Sequence, residues 1–168
     1  MTRPLAAFGG GALYLDAMFA VALLDARSAW HVAAERLFGQ SIDPTRPIRL
    51  VTATLTIDEV VFVLLQELVA RPPIAVTRSR SQYLAEHPEV VRELMRQIEP
   101  PLADLIDLLS LEPVLQADVT AMRREMGATG LLPRDALHVA VMRRLGLAAI
   151  ASDDEGFDRC AGLTRYVP

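Results

Sequence analysis

Short apolar runs alternate along this chain with longer segments of helical period, and each clear run gives way on its carboxyl side to acidic residues. Ala12–Leu15 leads into Asp16, Ile48–Ala53 into the helical segment that carries Glu59, and Leu147–Ala151 into Ser152, Asp153 and Asp154. Runs that are apolar at successive positions suit strands buried on both faces. Strands of that kind, alternating with helices, specify an α/β protein with a mostly parallel sheet covered on both sides. In such sheets a site lies beyond the carboxyl ends of the strands, where these acids fall.

The remaining elements follow from local signals. Met1–Gly11 reads as a short tail with a flexible Gly9-Gly10-Gly11, and Ala17–Asp25 as a helical turn or two. Ser28 reads as the N-cap of a helix over Ala29–Phe38, and Asp43–Pro47 as a turn-rich connection. Thr56-Ile-Asp-Glu59 matches a capping box and opens a helix to about Ala70, stopped by Pro72-Pro73. Thr77–Leu109 is helical, broken at Pro88 and at Pro100-Pro101, and Ser110–Pro113 is a short strand. Helices are expected at Val114–Gly127, from Pro133 to Gly146 and at Glu155–Ala161, with a last strand at Thr164–Val167. A length of 168 residues is that of a single domain spanning 1–168, and no internal repeat is visible.

Four acids sit where burial is expected. A charge buried alone costs several kcal/mol or more, so such groups are paired or bind a metal. Asp16 interrupts an apolar stretch, and its other reading is an N-cap for the next helix. Glu59 equally fits the N3 position of a capping box with Thr56, beside a solvated Asp58. Asp135, after Pro133-Arg134, equally fits dipole stabilisation of a helix start. Asp153, Asp154, Glu155 and Asp158 crowd one segment that also reads as a solvated loop. His138, in an apolar helix, reads as a core-facing or partly exposed histidine, and His31 and His87 form no ligand spacing. No nucleophile elbow, phosphate-binding glycine loop or zinc motif is present.

All seventeen basic residues are arginine, and the net charge of −4 leaves no basic footprint for nucleic acid. The missing lysine counts against phosphoacceptor domains and haloacid-type phosphatases, which use one near the phosphoryl group. Cys160 is the lone cysteine, which rules out an intrachain disulfide and a thiolate metal site and fits a reducing cytoplasm. No uncharged stretch reaches the roughly 18 residues of a spanning helix. Asp16, in an apolar N-terminal region that lacks a clean cleavage site, argues against a signal peptide.

Leu13-Tyr-Leu-Asp16, Leu55-Thr-Ile-Asp-Glu59, Leu131-Leu-Pro-Arg-Asp-Ala-Leu-His138 and Ile150-Ala-Ser-Asp-Asp-Glu-Gly-Phe-Asp158 resemble the four signature segments of PIN domains, nearest to VapC-like toxin nucleases. The resemblance runs from Ala12 to Pro168. It implies a three-layer α/β/α sandwich with a central, mostly parallel sheet, and residues 72–110 would form a helical protrusion. It implies a Mg²⁺- or Mn²⁺-dependent endoribonuclease, a toxin with a cognate antitoxin, an RNA substrate and a homodimer. Asp16, Glu59, Asp135 and Asp154 would be the catalytic and metal-binding acids. Asp153 is the rival to Asp154, and Ser152 would orient a carboxylate or a water. Arg78, Arg80 and Arg134 are the expected RNA contacts, through the bidentate fork of arginine. One departure stands out: members carry Asn or Ser two residues after the first acid, where this chain has Met18. Met18 keeps open the alternative of a catalytically weak or inactive PIN-like binding module.

Overall fold

The three apolar runs become neighbouring strands. The computed structural model describes residues 1–41 and 48–168; the connection expected at Asp43–Pro47 lies outside the described residues. The strands are β1 (Thr2–Pro4), β2 (Gly11–Leu15), β3 (Ile48–Ala53), β4 (Ser110–Glu112), β5 (Ala149–Ala151) and β6 (Thr164–Val167). They form one sheet of order β1-β6-β5-β2-β3-β4, parallel at every pairing. The helices are α1 (Ala17–Leu24), α2 (His31–Ser41), α3 (Thr54–Val69), α4 (Arg80–Glu86), α5 (Pro88–Leu108), α6 (Gln116–Thr129) and α7 (Pro133–Arg144). The chain winds outward from β2 through β3 to β4, then returns to the other side of β2 as β5 and continues to β6. That reversal opens a crevice at the carboxyl ends of β2 and β5.

Side chains of a strand point alternately to the two faces of its sheet. Leu13 and Leu15 of β2 join Phe19 of α1, Leu37 of α2, Val60 and Leu64 of α3, and Ile98 and Leu102 of α5. Tyr14, Val51 and Ile150 face the other way, against Val139 and Met142 of α7, Phe157, and the partly buried Met122 and Met126 of α6. Helices therefore cover both faces, which gives the three-layer sandwich. It also explains why β2 and β5, at the centre of the sheet, carry no polar side chain outside the Tyr14 hydroxyl. Each fully buried leucine or phenylalanine contributes about 1.5–3 kcal/mol.

The N-terminal segment differs from the expected tail. Thr2–Pro4 extends the sheet as an edge strand, with Thr2 paired to Arg165. All three residues are exposed, so no apolar pattern marks the strand. Polar contacts hold it: the Thr2 hydroxyl donates to Asp158 at 2.8 Å, and Arg165 Nη2 donates to Asp158 Oδ2 at 2.6 Å. Two helix boundaries also differ. The Ser28 hydroxyl accepts the Trp30 amide in a turn, and α2 starts only at His31. Helix α3 starts at Thr54, and the expected capping box is absent. Thr56 is instead buried, with the Thr52 hydroxyl 2.7 Å from its own.

Helix α5 runs through Pro100 and Pro101 without the expected break. Its buried residues Leu94, Ile98, Leu102 and Leu105 form one apolar stripe, while both prolines and the Arg96 and Gln97 residues whose carbonyls they leave unpaired are exposed to water. The first half of α5 packs with α4 and the end of α3 around Val69, Leu84 and Leu94, a small cluster beside the main core. On the opposite layer, buried Asp118 accepts the Leu115 amide at 2.8 Å and Arg144 Nε at 2.9 Å, which ties α6 to α7. Gly130 then takes a positive φ of 67° that ends α6 and turns the chain toward α7.

Candidate metal centre

Asp16 is the first residue past β2. Its amide donates to the Ala151 carbonyl at 3.2 Å, so backbone bonds between neighbouring strands fix its position. Its Oδ1 accepts the Ala17 amide at 2.6 Å, so it does cap α1. Its Oδ2 accepts the Ser152 hydroxyl at 2.6 Å. Burial pushes the Asp16 carboxyl above the ordinary aspartate range; the Ser152 bond and His138 oppose that push, and the Glu59 charge adds to it.

Glu59 lies more than one turn inside α3 because the helix begins before Thr56. It is therefore free of the capping role, and only 8% of it is exposed. Its Oε1 lies 3.5 Å from His138 Nε2 and 2.9 Å from Arg134 Nε, the latter an ion pair without hydrogen-bond geometry. Both Glu59 Oε1 and His138 Nε2 are buried without a hydrogen-bond partner. Asp16, Glu59 and His138 each present a ligand atom, and these atoms lie within 4.8 Å of one another.

Asp135 stands in the first turn of α7, outside that tight group. Burial raises its pKa first, followed by the charges of Asp154 and Asp16, with Glu59 adding a smaller push. All four expected acids thus share one electrostatic field. Asp154 is exposed and opens the 3₁₀ turn Glu155–Arg159, its Oδ1 accepting the Gly156 amide at 2.7 Å. Its own amide donates to the Ser152 hydroxyl at 3.1 Å. A single buried hydroxyl therefore bridges Asp16 and Asp154. A Cβ on Gly156 would meet Asp154 Oδ1 at 2.9 Å and Leu131 Cδ2 at 3.0 Å, which explains glycine there.

The crowded acidic segment separates by task. The exposed Asp153 lends its carbonyl to Arg165 at 3.3 Å. Asp158 is turned to the sheet edge, where the Arg165 hydrogen bond holds its pKa down at about 2.

Arg134, an expected RNA contact, is half-exposed, and its guanidinium turns to Glu59 and reaches Asp58 at 3.8 Å. His138 is a buried histidine as its pattern suggested, yet its Nε2 faces the acids. Its Nδ1 is 2.8 Å from the Tyr14 hydroxyl, and burial pushes the Tyr14 pKa up. The helical spacing of Asp135 and His138 was the one signal that could have linked it to the site. Arg78 and Arg80 are not brought to the acids. Arg80 pairs with Glu67 at 3.7 Å, about 12 Å along α3 from Glu59, and Arg78 is exposed on the segment that precedes α4. Met18 lies on the surface, 42% exposed, and takes no part in the Asp16–Glu59–His138 group.

The donor set suits a divalent cation. Carboxylate oxygens crowd together, burial raises the pKa of two of them, and two polar atoms inside the cluster lack partners. No helix among the described residues is long and apolar enough to cross a membrane.

The profile of the PIN domain family matches residues 13–163. No curated protein matches the sequence significantly. Among solved structures, the fold is similar to Mycobacterium tuberculosis VapC20, described as a sarcin-ricin loop cleaving toxin. The two are 16% identical, the match covers 89% of this chain and 95% of that one, and the TM-score is 0.53. A DNA-bound VapBC from Salmonella typhimurium is 13% identical over 93% of this chain and 97% of that one, TM-score 0.53. Rickettsia felis VapBC2, bound to a DNA fragment from its promoter, is 12% identical over 94% and 98%, TM-score 0.51. At such identities the likeness is one of fold.

Proposed function

This chain belongs to the PIN domain family, and from that premise we propose that it is a divalent-metal-dependent endoribonuclease, the toxin of a type II toxin–antitoxin pair. The observation that carries the proposal is the Asp16–Glu59–His138 group, set in the crevice where the strand order reverses. Asp16 and Glu59 would hold Mg²⁺ or Mn²⁺, with Asp135 and Asp154 completing the site or orienting water. Such an ion supplies charge neutralisation at a phosphodiester and acidifies water at neutral pH. The products would be a 5′-phosphate and a 3′-hydroxyl.

The chain's own residues have distinct tasks in this reading. Ser152 holds the Asp16 carboxylate and the Asp154 backbone at one spacing. The Ser152 hydrogen bond favours the ionised Asp16 carboxylate against the upward push of burial. Arg134, with a side chain 53% exposed, can release Glu59 and meet a phosphate oxygen with its planar fork. An acidic chain with five percent aromatics has little means of gripping single-stranded bases, which favours a folded RNA recognised by shape. VapBC assemblies among the similar folds support an antitoxin partner, and homodimerisation and a cytoplasmic location belong to the same proposal.

The test is RNA cleavage in Mn²⁺ together with growth arrest on expression. Wild-type protein is expected to do both, and Asp16→Asn and Asp154→Asn neither. If both variants cleave and arrest growth as well as wild type, the catalytic reading fails.

A further inference from the structure

Among the described residues, His138 is a polar side chain at the crevice whose role has not been assigned. It is 1% exposed, and its Nε2 has no hydrogen-bond partner although Glu59 Oε1, likewise unpartnered, is 3.5 Å away. Leaving the His138 nitrogen unsatisfied in the interior is costly, and Glu59 Oε1 has only its ion pair with half-exposed Arg134. A single ion would satisfy both. Around an ion with bonds of about 2.1 Å, octahedral donors lie about 3 Å apart when adjacent and about 4 Å apart when opposite. The ligand atoms of Asp16, Glu59 and His138 all lie within 4.8 Å of one another, so small side-chain shifts would bring them to that spread.

The ring is also held as a ligand's ring would be. His138 Nδ1 sits 2.8 Å from the Tyr14 hydroxyl in a buried pair. With the proton on Nδ1 and donated to the tyrosine oxygen, Nε2 presents its lone pair to the acids. Arg134 does not stand in the way. It can leave Glu59 for Asp58, which it already approaches at 3.8 Å.

Resting on the metal-site reading above, we propose that His138 Nε2 is a nitrogen ligand alongside Asp16 and Glu59, and that the site therefore selects Mn²⁺ over Mg²⁺. Mg²⁺ prefers oxygen donors and gives up its waters reluctantly. Mn²⁺ shares its taste for carboxylates but, as a first-row transition ion, accepts an imidazole nitrogen more readily. An all-carboxylate set would show a weaker preference.

The experiment uses the full chain and Mn²⁺ as the probe. Electron spin-echo envelope modulation of the Mn²⁺-loaded protein should show coupling to ¹⁴N, replaced by ¹⁵N coupling when histidine is ¹⁵N-labelled. His138→Gln should abolish the coupling and weaken Mn²⁺ binding about tenfold or more, with Mg²⁺ binding changed less than about threefold. The labelled wild-type protein answers the question even if that variant fails to fold. Asp16-dependent Mn²⁺ binding without nitrogen coupling, or coupling that persists in His138→Gln, overturns the proposal and leaves the carboxylate metal site standing. A wild-type chain that binds neither ion overturns both.

Discussion

Replacing Ser152 with alanine removes one hydroxyl and almost no volume, so its cost isolates the bridge between Asp16 and Asp154. The hydroxyl is buried and donates to the Asp16 carboxylate at 2.6 Å. Losing a hydrogen bond to a charged acceptor costs about 1.5–3 kcal/mol. The second bond, from the Asp154 amide at 3.1 Å, counts for less, because Asp154 is exposed and water can replace Ser152 there. Alanine recovers part of the loss, under about 1 kcal/mol, because a hydroxyl no longer needs to be buried. The net cost is about 2 kcal/mol, which for a chain of this size lowers Tm by about 4–8 °C. Urea unfolding at pH 7 with chelator present measures it, in wild-type and Asp16→Asn backgrounds. Asparagine keeps the shape and removes the charge, so Ser152→Ala should cost about 1 kcal/mol less there. Equal costs in the two backgrounds, or a cost below about 0.5 kcal/mol in wild type, would refute the charged bridge. The bond also lowers the Asp16 pKa against the effect of burial. Without it, Asp16 keeps its proton to higher pH, and the midpoint of pH-dependent Mn²⁺ binding should move up.

Asp158, with its pKa held at about 2, contributes stability above the ordinary aspartate range that is lost as pH falls from about 4 to about 2. Its side chain is about one-third exposed, so screening trims the contribution to about 1 kcal/mol; Asp158→Asn should cost that in urea at pH 7 and markedly less near pH 2. Asp135 has the opposite sign. Its pKa is raised by burial and by Asp154 and Asp16, so the stability it allows is full below about pH 4 and declines as pH rises through its folded pKa. Thermal melts in chelator should find Asp135→Asn more stable than wild type at pH 7 and equal to it at pH 3. Added Mn²⁺ should raise the Tm of wild type more than that of the variant. Gly156→Ala places a Cβ 2.9 Å from Asp154 Oδ1 and 3.0 Å from Leu131. The displaced carboxylate should lower RNA cleavage more than tenfold for about 1–2 kcal/mol of stability, measured by cleavage rate and by urea unfolding.

Much of the architecture is local information. The runs at Ala12–Leu15, Ile48–Ala53 and Leu147–Ala151 declare buried strands because a parallel sheet covered on both sides leaves no polar face. The helices from Pro133 and Glu155 announce themselves by cap and period. Where the pattern misled, a nonlocal contact had outweighed a local preference. Thr2–Pro4 joins the sheet through Asp158 and Arg165, which lie at the far end of the sequence. The turn-like pair Pro100-Pro101 stays helical because one face of α5 is buried while the prolines meet water. Thr56 gives up its cap to bond with Thr52 in the interior.

The sequence by itself determined which residues could form a site: acids placed where strands end, in an order that fits a single crevice. Tertiary structure decided what each of them does. Strand order sets β5 beside β2, which lets one serine hydroxyl hold Asp16 and the Asp154 amide. An earlier start to α3 turns Glu59 from a capping residue into a buried acid beside Asp16 and His138. The packing of α7 across Tyr14 brings His138 and Arg134 to the acids, while the pull of Arg165 takes Asp158 away from them. The physical reason is range. Burial period and capping chemistry act over a few residues and can be read along the chain, whereas pairing between charges depends on distances that only the assembled sheet defines.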